Sequence, residues 1–124
     1  MATEHSPNNP PETPFEVQHR IEKGAAVVSL AGSCSMTCAE RLGSLLMQEA
    51  ESAVPLVILD LTRLEFIEST NLGKVVAAYL KLRRRGADMK LVGPNAEIRN
   101  LLKLTRLDHL FTIADSVEAA LPQN

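Results

Sequence analysis

Strands alternating with amphipathic helices predict an α/β domain, a four- or five-stranded mixed sheet with helices mainly on one face. Three observations predict it. The period-2 and period-3.6 segments follow one another in the order β-β-α-β-α-β-α-β-α. Residues 55–60 (PLVILD) are apolar without interruption up to Asp60, as a strand covered on both faces must be. The chain has 124 residues, 45% hydrophobic and 23% charged, which allows one domain with one main core.

Over residues 15–22, Phe15, Val17, His19 and Ile21 alternate with Glu16, Gln18, Arg20 and Glu22, the pattern of a half-buried strand. Lys23-Gly24 turns the chain, and the more uniformly apolar residues 25–31 (AAVVSLA) complete a hairpin. A loop over 32–37 leads into a helix. Thr37 and Glu40 there fit a capping box, and Leu42, Leu45, Leu46 and Ala50 share one face. After the strand at 55–60, residues 61–67 form a connection. A second helix then begins at Ser69 or a neighbour, with an apolar stripe of Leu72, Val75, Val76, Tyr79 and Leu82. Arg83, Arg84 and Arg85 complement the dipole in its last turn, and Gly86 stops it.

Residues 88–92 (DMKLV) form the next strand. Gly93-Pro94-Asn95 turns into a helix carrying Ile98, Leu101 and Leu102. A short strand near 111–113 follows, and Asp115 with Glu118 caps a last helix before Pro122. The crossovers are expected to be right-handed, with the second strand and residues 55–60 central in the sheet. Residues 1–14 hold four of the seven prolines and almost no large aliphatic side chain, so they are expected as a disordered tail. Residues 15–121 are expected as the domain.

The formal net charge of −2 argues against a nucleic-acid binder, and 3% aromatic residues cannot build a base-stacking surface. No apolar stretch is long enough to span or insert into a membrane, and none resembles an export signal, so the expected compartment is the cytoplasm. Cys34 and Cys38 are therefore expected as reduced, structural thiols. His5, His19 and His109 are scattered and no second Cys pair exists, so no zinc site or other metal site is expected. There is no phosphate loop, nucleophile elbow or nucleophile–base pair, so neither catalysis nor a cofactor is expected. His109 reads as an unsupported surface or structural histidine, and the basic run at 81–85 as a solvated helix end.

The informative segment is 60–73, DLTRLEFIESTNLG. A buried strand ends there and a helix begins at Ser69-Thr70-Asn71, at the sheet end where ligands and partners dock. Free amides and the positive end of the dipole can accommodate a phosphoryl group. Ser69 could equally be a plain N-cap.

Asp60-Leu61-Thr62 and Phe66-Ile67-Glu68-Ser69-Thr70-Asn71-Leu72-Gly73 resemble the D-L-S and F-x-D-S-S-G-L-G signature of STAS domains, the family of anti-sigma factor antagonists. Leu30-Ala31-Gly32 with Ala39-Glu40, Lys90-Leu91-Val92-Gly93-Pro94, and Leu101, Leu107 and Leu110-Phe111 are similar to further segments of the family. Glu68 stands for the family's Asp, Asn71 for its Gly, and Ser35 for an Asp. The resemblance implies a cytoplasmic regulator without catalysis of its own. It would bind an anti-sigma factor with serine kinase activity, be phosphorylated at Ser69 (Thr70 as runner-up), and be reset by a metal-dependent serine phosphatase. The partner face is expected at Ser33, Ser35, Met36, Arg63, Glu68, Asn71, Leu72 and Lys74. The alternative reading is a STAS accessory subunit of an ABC-type lipid transporter, bound to the ATPase without phosphorylation. A small α/β hydrolase or transferase is the enzyme-class rival, weakened by the missing nucleophile–base pair.

Overall fold

Five strands pair side by side into one sheet, and their order across the sheet is their order along the chain. They are β1 (Glu16–Glu22), β2 (Ala25–Cys34), β3 (Leu56–Ile67), β4 (Asp88–Val92) and β5 (Thr112–Ala114). A computed structural model describes residues 13–123. The β1–β2 pair is an antiparallel hairpin, with Val17 opposite Leu30 and Ile21 opposite Ala26. The remaining pairs are parallel, as crossover helices require. The helices are α1 (Ala39–Glu51), α2 (Ser69–Arg84), α3 (Ala96–Leu104) and the single turn α4 (Val117–Ala120).

The main core lies on one sheet face. Ala26, Val28 and Leu30 of β2, Val57 and Leu59 of β3, and Met89 and Leu91 of β4 meet Leu42 and Leu46 of α1, Val75, Ala78 and Leu82 of α2, and Ile98 and Leu102 of α3. The alternate residues Ala25, Val27, Leu56, Ile58 and Val92 face the other way, under Ala120 and Leu121. This double cover explains the uninterrupted apolar runs of β2 and β3. Tyr79 and Phe111 pack edge to face, 4.9 Å between ring centroids, pinning α2 over the start of β5.

The structure corrects the expected connection at 61–67: β3 continues through it to Ile67, and β2 continues to Cys34. Two register shifts in the β2–β3 ladder, between Ser29 and Ala31 and between Gly32 and Ser33, cause the misreading. They space the buried residues Leu61, Leu64 and Ile67 by three, which hides the period of two. Gly32 is required at its bulge: its φ is +85°, and a Cβ there would lie 1.9 Å from the Pro14 carbonyl oxygen. The expected tail falls on residues 1–12, which lie outside the described residues, together with Thr13 and Pro14. Those two cross over β2, and the Thr13 carbonyl accepts the Ser33 amide at 3.1 Å.

Three local expectations also change. No Thr37–Glu40 capping box forms. The Ser35 hydroxyl instead accepts the Thr37 amide at 3.4 Å and caps a 3-10 turn, Met36–Cys38, and α1 begins only at Ala39. Ser116 rather than Asp115 caps α4, accepting the Ala119 amide at 3.1 Å. Cys34 and Cys38 are not reduced thiols but are joined in a disulfide. The 3-10 turn doubles the chain back and sets their Cα atoms 5.6 Å apart, within bridging distance.

Candidate functional site

The C-terminal ends of β2 and β3 deliver two segments side by side: the turn 35–38 after β2 and the first turn of α2 after β3. The Glu68 amide donates to the Cys34 carbonyl at 2.8 Å and fastens one segment to the other. Asn71, fully buried, adds a second tie. Its side-chain amide donates to the Cys34 carbonyl at 3.3 Å and to the Ser35 carbonyl at 3.1 Å. A glycine at this position, as in the family signature, could make neither bond.

Glu68 is the N-cap of α2. Its carboxylate accepts the Thr70 amide at 2.7 Å and also the Thr70 hydroxyl. The hydroxyl bond first, then the amide bond, holds the Glu68 carboxyl below the usual carboxylate range. Ser69 is therefore the first helical residue and not the cap. It is exposed, and among the described residues its hydroxyl makes no hydrogen bond.

The expected contact residues divide into three at the exposed turn, three buried beneath it, and two, Arg63 and Lys74, that lie to either side. Met36 is 61% exposed above this turn, and the Thr70 hydroxyl lies 3.5 Å from its sulfur. Ser35 and Glu68 are partly exposed beside it. Ser33, Asn71 and Leu72 are buried, which corrects their expected place on the surface: they support the face from beneath. Arg63 lines a separate cleft of about 490 Å³ with Thr13, Glu16, Thr62 and Asn95. Lys74 lies against Gly43 on the α1 side. Among the described residues, Ser33 Oγ and Asn71 Oδ1 are two of three buried side-chain polar atoms without a hydrogen-bond partner. Such orphans are costly, and here they concentrate at one end of the sheet.

Sequence reasoning missed a cleft of about 380 Å³ that opens beside Ser69. Its apolar lining comes from Phe66 at the end of β3 and from Leu101 and Leu104 of α3. Glu65, Glu68 and Glu97 line it too, and no Lys or Arg does. Leu104 is 74% exposed. The available signal was its spacing: Leu101 and Leu104 form a second apolar row on α3, outside the buried Ile98 and Leu102 row.

The STAS domain pattern matches residues 16–120. The chain belongs to the STAS domain family. A protein of Bordetella bronchiseptica named as the anti-sigma factor antagonist BtrV is 28% identical over 97 residues, 78% of this chain and 84% of that protein. The crystal structure of an anti-sigma factor antagonist from Mycobacterium paratuberculosis superposes with a TM-score of 0.79 at 25% identity, covering 86% of this chain and 91% of that one. The unphosphorylated form of the anti-sigma factor antagonist SpoIIAA superposes with a TM-score of 0.73 at 19% identity, over 86% of this chain and 92% of that one, a likeness of fold. The mixed five-stranded sheet of this chain is the STAS arrangement. Among the described residues no helix is long and apolar enough to cross a membrane, and no group of His, Cys, Asp and Glu side chains could hold a metal ion.

Proposed function

We propose that this STAS protein is an anti-sigma factor antagonist whose binding face is switched by phosphorylation of Ser69. The observation that carries the reading is the free, exposed hydroxyl of Ser69 at the rim of the cleft. Similarity to BtrV and to the Mycobacterium paratuberculosis antagonist supports the partner class.

The cleft and Met36 give a partner apolar contact, and Glu65, Glu68 and Glu97 favour basic groups at its edge. Phosphorylation adds about −1.5 to −2 charges at the first turn of α2. The helix N-terminus tolerates that charge, whereas the three neighbouring carboxylates oppose it. The folded domain therefore survives modification while the potential over the cleft becomes strongly negative. Ser35 belongs to the same partner face, Arg63 and Lys74 flank it from the neighbouring cleft and from the α1 side, and Ser33, Asn71 and Leu72 set its shape; Thr70, tied up by Glu68, is the poorer acceptor. The kinase is the anti-sigma factor itself, using ATP in the cytoplasm, and a serine phosphatase resets the site.

The test incubates purified chain with the cognate kinase and ATP, then maps the modified residue by mass spectrometry. Phosphate on Ser69 and release of the kinase are expected. An unmodified chain that stays bound to a transporter ATPase would overturn the reading in favour of a constitutive subunit.

A further inference from the structure

The geometry points to the Cys34–Cys38 pair as a reversible thiol–disulfide modification site that sets the mobility of the turn carrying Met36. The bond closes a loop of three residues, Ser35-Met36-Thr37, and that loop is half of the face described above. The idea thus deepens the proposed function and rests on it for its consequence. In the cytoplasm, where that function is placed, disulfides are mostly transient and redox-sensing rather than structural.

Three features fit the pair for exchange. Cys38 is the N-cap residue of α1 with no side-chain cap bond, so breaking and remaking its bond to Cys34 disturbs no helix cap. Both cysteines are buried, Cys34 at 0% and Cys38 at 7% exposure, but the residues between them, Met36 and Thr37, are exposed, so opening of that turn is what admits a reagent, to Cys38 first. The buried Asn71 amide nitrogen lies 3.5 Å from Cys34 Sγ and 3.9 Å from Cys38 Sγ, so both sulfurs sit beside a polar group and not only against apolar walls. A free thiol pair must also separate from bonding to van der Waals distance. Cys34 is fully packed, so the displacement falls on the turn and on Met36.

Oxidation balances with hydrogen peroxide. The Cys38 thiolate attacks one peroxide oxygen, the O–O bond breaks, and hydroxide leaves and takes up a proton as water. The Cys34 thiolate then attacks the sulfenic sulfur, the S–O bond breaks, and a second water leaves. Two thiols and one peroxide yield one disulfide and two waters. Reduction runs through a dithiol: one of its thiolates attacks Cys38 Sγ, Cys34 departs as a thiolate, and the second dithiol sulfur closes its own disulfide and frees Cys38.

The experiment uses the full chain, first reduced with dithiothreitol and then treated with hydrogen peroxide. Expected is a product two hydrogens lighter, with neither cysteine open to alkylation, and both thiols restored by dithiothreitol. Amide exchange at Met36 and Thr37 should be about tenfold slower in the oxidised form, with Ile58 in central β3 unchanged. Cys38→Ser should keep the turn in fast exchange with or without peroxide. Peroxide that drives sulfinic or sulfonic acid without closing the bond would overturn the proposal. So would equal exchange at Met36 and Thr37 in the two forms, or a Cys38→Ser chain whose turn still slows. These readouts need no partner, so they stand or fall separately from the phosphate-mapping assay on Ser69.

Discussion

Helices α2 and α3 both begin at the same end of the sheet, each following a parallel strand, yet their first turns are built in opposite ways. At α3, Asn95 spends both ends of its side chain on the backbone. Its oxygen accepts the Ile98 amide at 2.8 Å, and its nitrogen donates to the carbonyls of Leu64 at 3.4 Å and Glu65 at 3.2 Å. That terminus is tied off. At α2 the cap is the preceding carboxylate, Glu68, so Ser69 falls into the first helical position with nothing to hold. Moving the cap one residue upstream turns a structural hydroxyl into an available one. Beneath it the fold is anchored by a different residue, Asn71.

The largest effect expected follows from that division. Asn71→Ala removes the buried amide that joins α2 to the turn after β2, leaves a cavity in its place, and leaves the Cys34 and Ser35 carbonyls with the Glu68 and Cys38 amides alone. The loss should be about 2–3 kcal/mol of stability. Urea unfolding measures it. A loss under about 0.5 kcal/mol would mean that the tie at Cys34 is made by the Glu68 amide alone. Asn95→Ala should cost less, about 1–2 kcal/mol for a cap with two further weak bonds. It should leave kinase binding unchanged in a titration, because the residue is committed to the fold; weakened binding would extend the face onto the start of α3.

The α/β order, the hairpin, the central position of 55–60 and the buried stripes of the helices were all legible in the sequence, since each follows from the spacing of apolar residues. The extension of β3 was not, because bulges at Ser29/Ala31 and Gly32/Ser33 break the alternation on which strand reading depends. The segment around Ser69 stood out because a strand ending at a helix N-terminus is a local pattern. The cleft beside it did not, because Phe66 and Leu104 are far apart in the chain and meet only through the crossover from β4 into α3. The Glu68 cap was hidden by chemistry: Ser is the commoner N-cap, and only the backbone conformation of residue 68 decides between them. The spacing of Cys34 and Cys38 likewise does not say whether the intervening residues turn tightly enough to close a bond.

A pH titration sharpens the contrast between the two caps at a smaller scale. The Glu68 carboxyl is held below its ordinary range by the Thr70 hydroxyl and amide, so the folded state takes up its proton less readily than the unfolded chain. Its stabilisation is fully present above the unfolded carboxylate range and is lost as pH falls through the lowered native value. Glu68→Gln removes that dependence. Its stability deficit relative to the parent, measured by urea midpoints, should shrink on acidification below the ordinary carboxylate range. The neutral cap Asn95 has no such dependence, so Asn95→Ala should show a deficit that acidification leaves constant. A Glu68→Gln deficit equally constant with pH would show that the cap works as a plain hydrogen bond.

The smallest effect on stability falls on the residue with the largest effect on binding. Ser69 caps nothing, so Ser69→Ala should change stability by no more than about 0.5 kcal/mol, and alanine suits a first helical turn. Ser69→Asp should be as stable as the parent or slightly more so, because a carboxylate in the first turn favours the dipole by about 0.3–1 kcal/mol at a surface site. The nearby Glu65, Glu68 and Glu97 offset part of that gain. In a binding titration the two variants should separate. Ser69→Ala should bind the kinase as tightly as the unmodified parent and stay bound in the presence of ATP. Ser69→Asp should bind at least about tenfold more weakly, since its charge sits against three carboxylates at the rim of the cleft. The aspartate carries less charge than a phosphate, so the phosphorylated parent should bind more weakly still. Two variants of equal stability and equal affinity would place the partner on another face and make Ser69 an idle hydroxyl. A Ser69→Ala chain that unfolds more readily by about 1 kcal/mol would restore it to the role of cap.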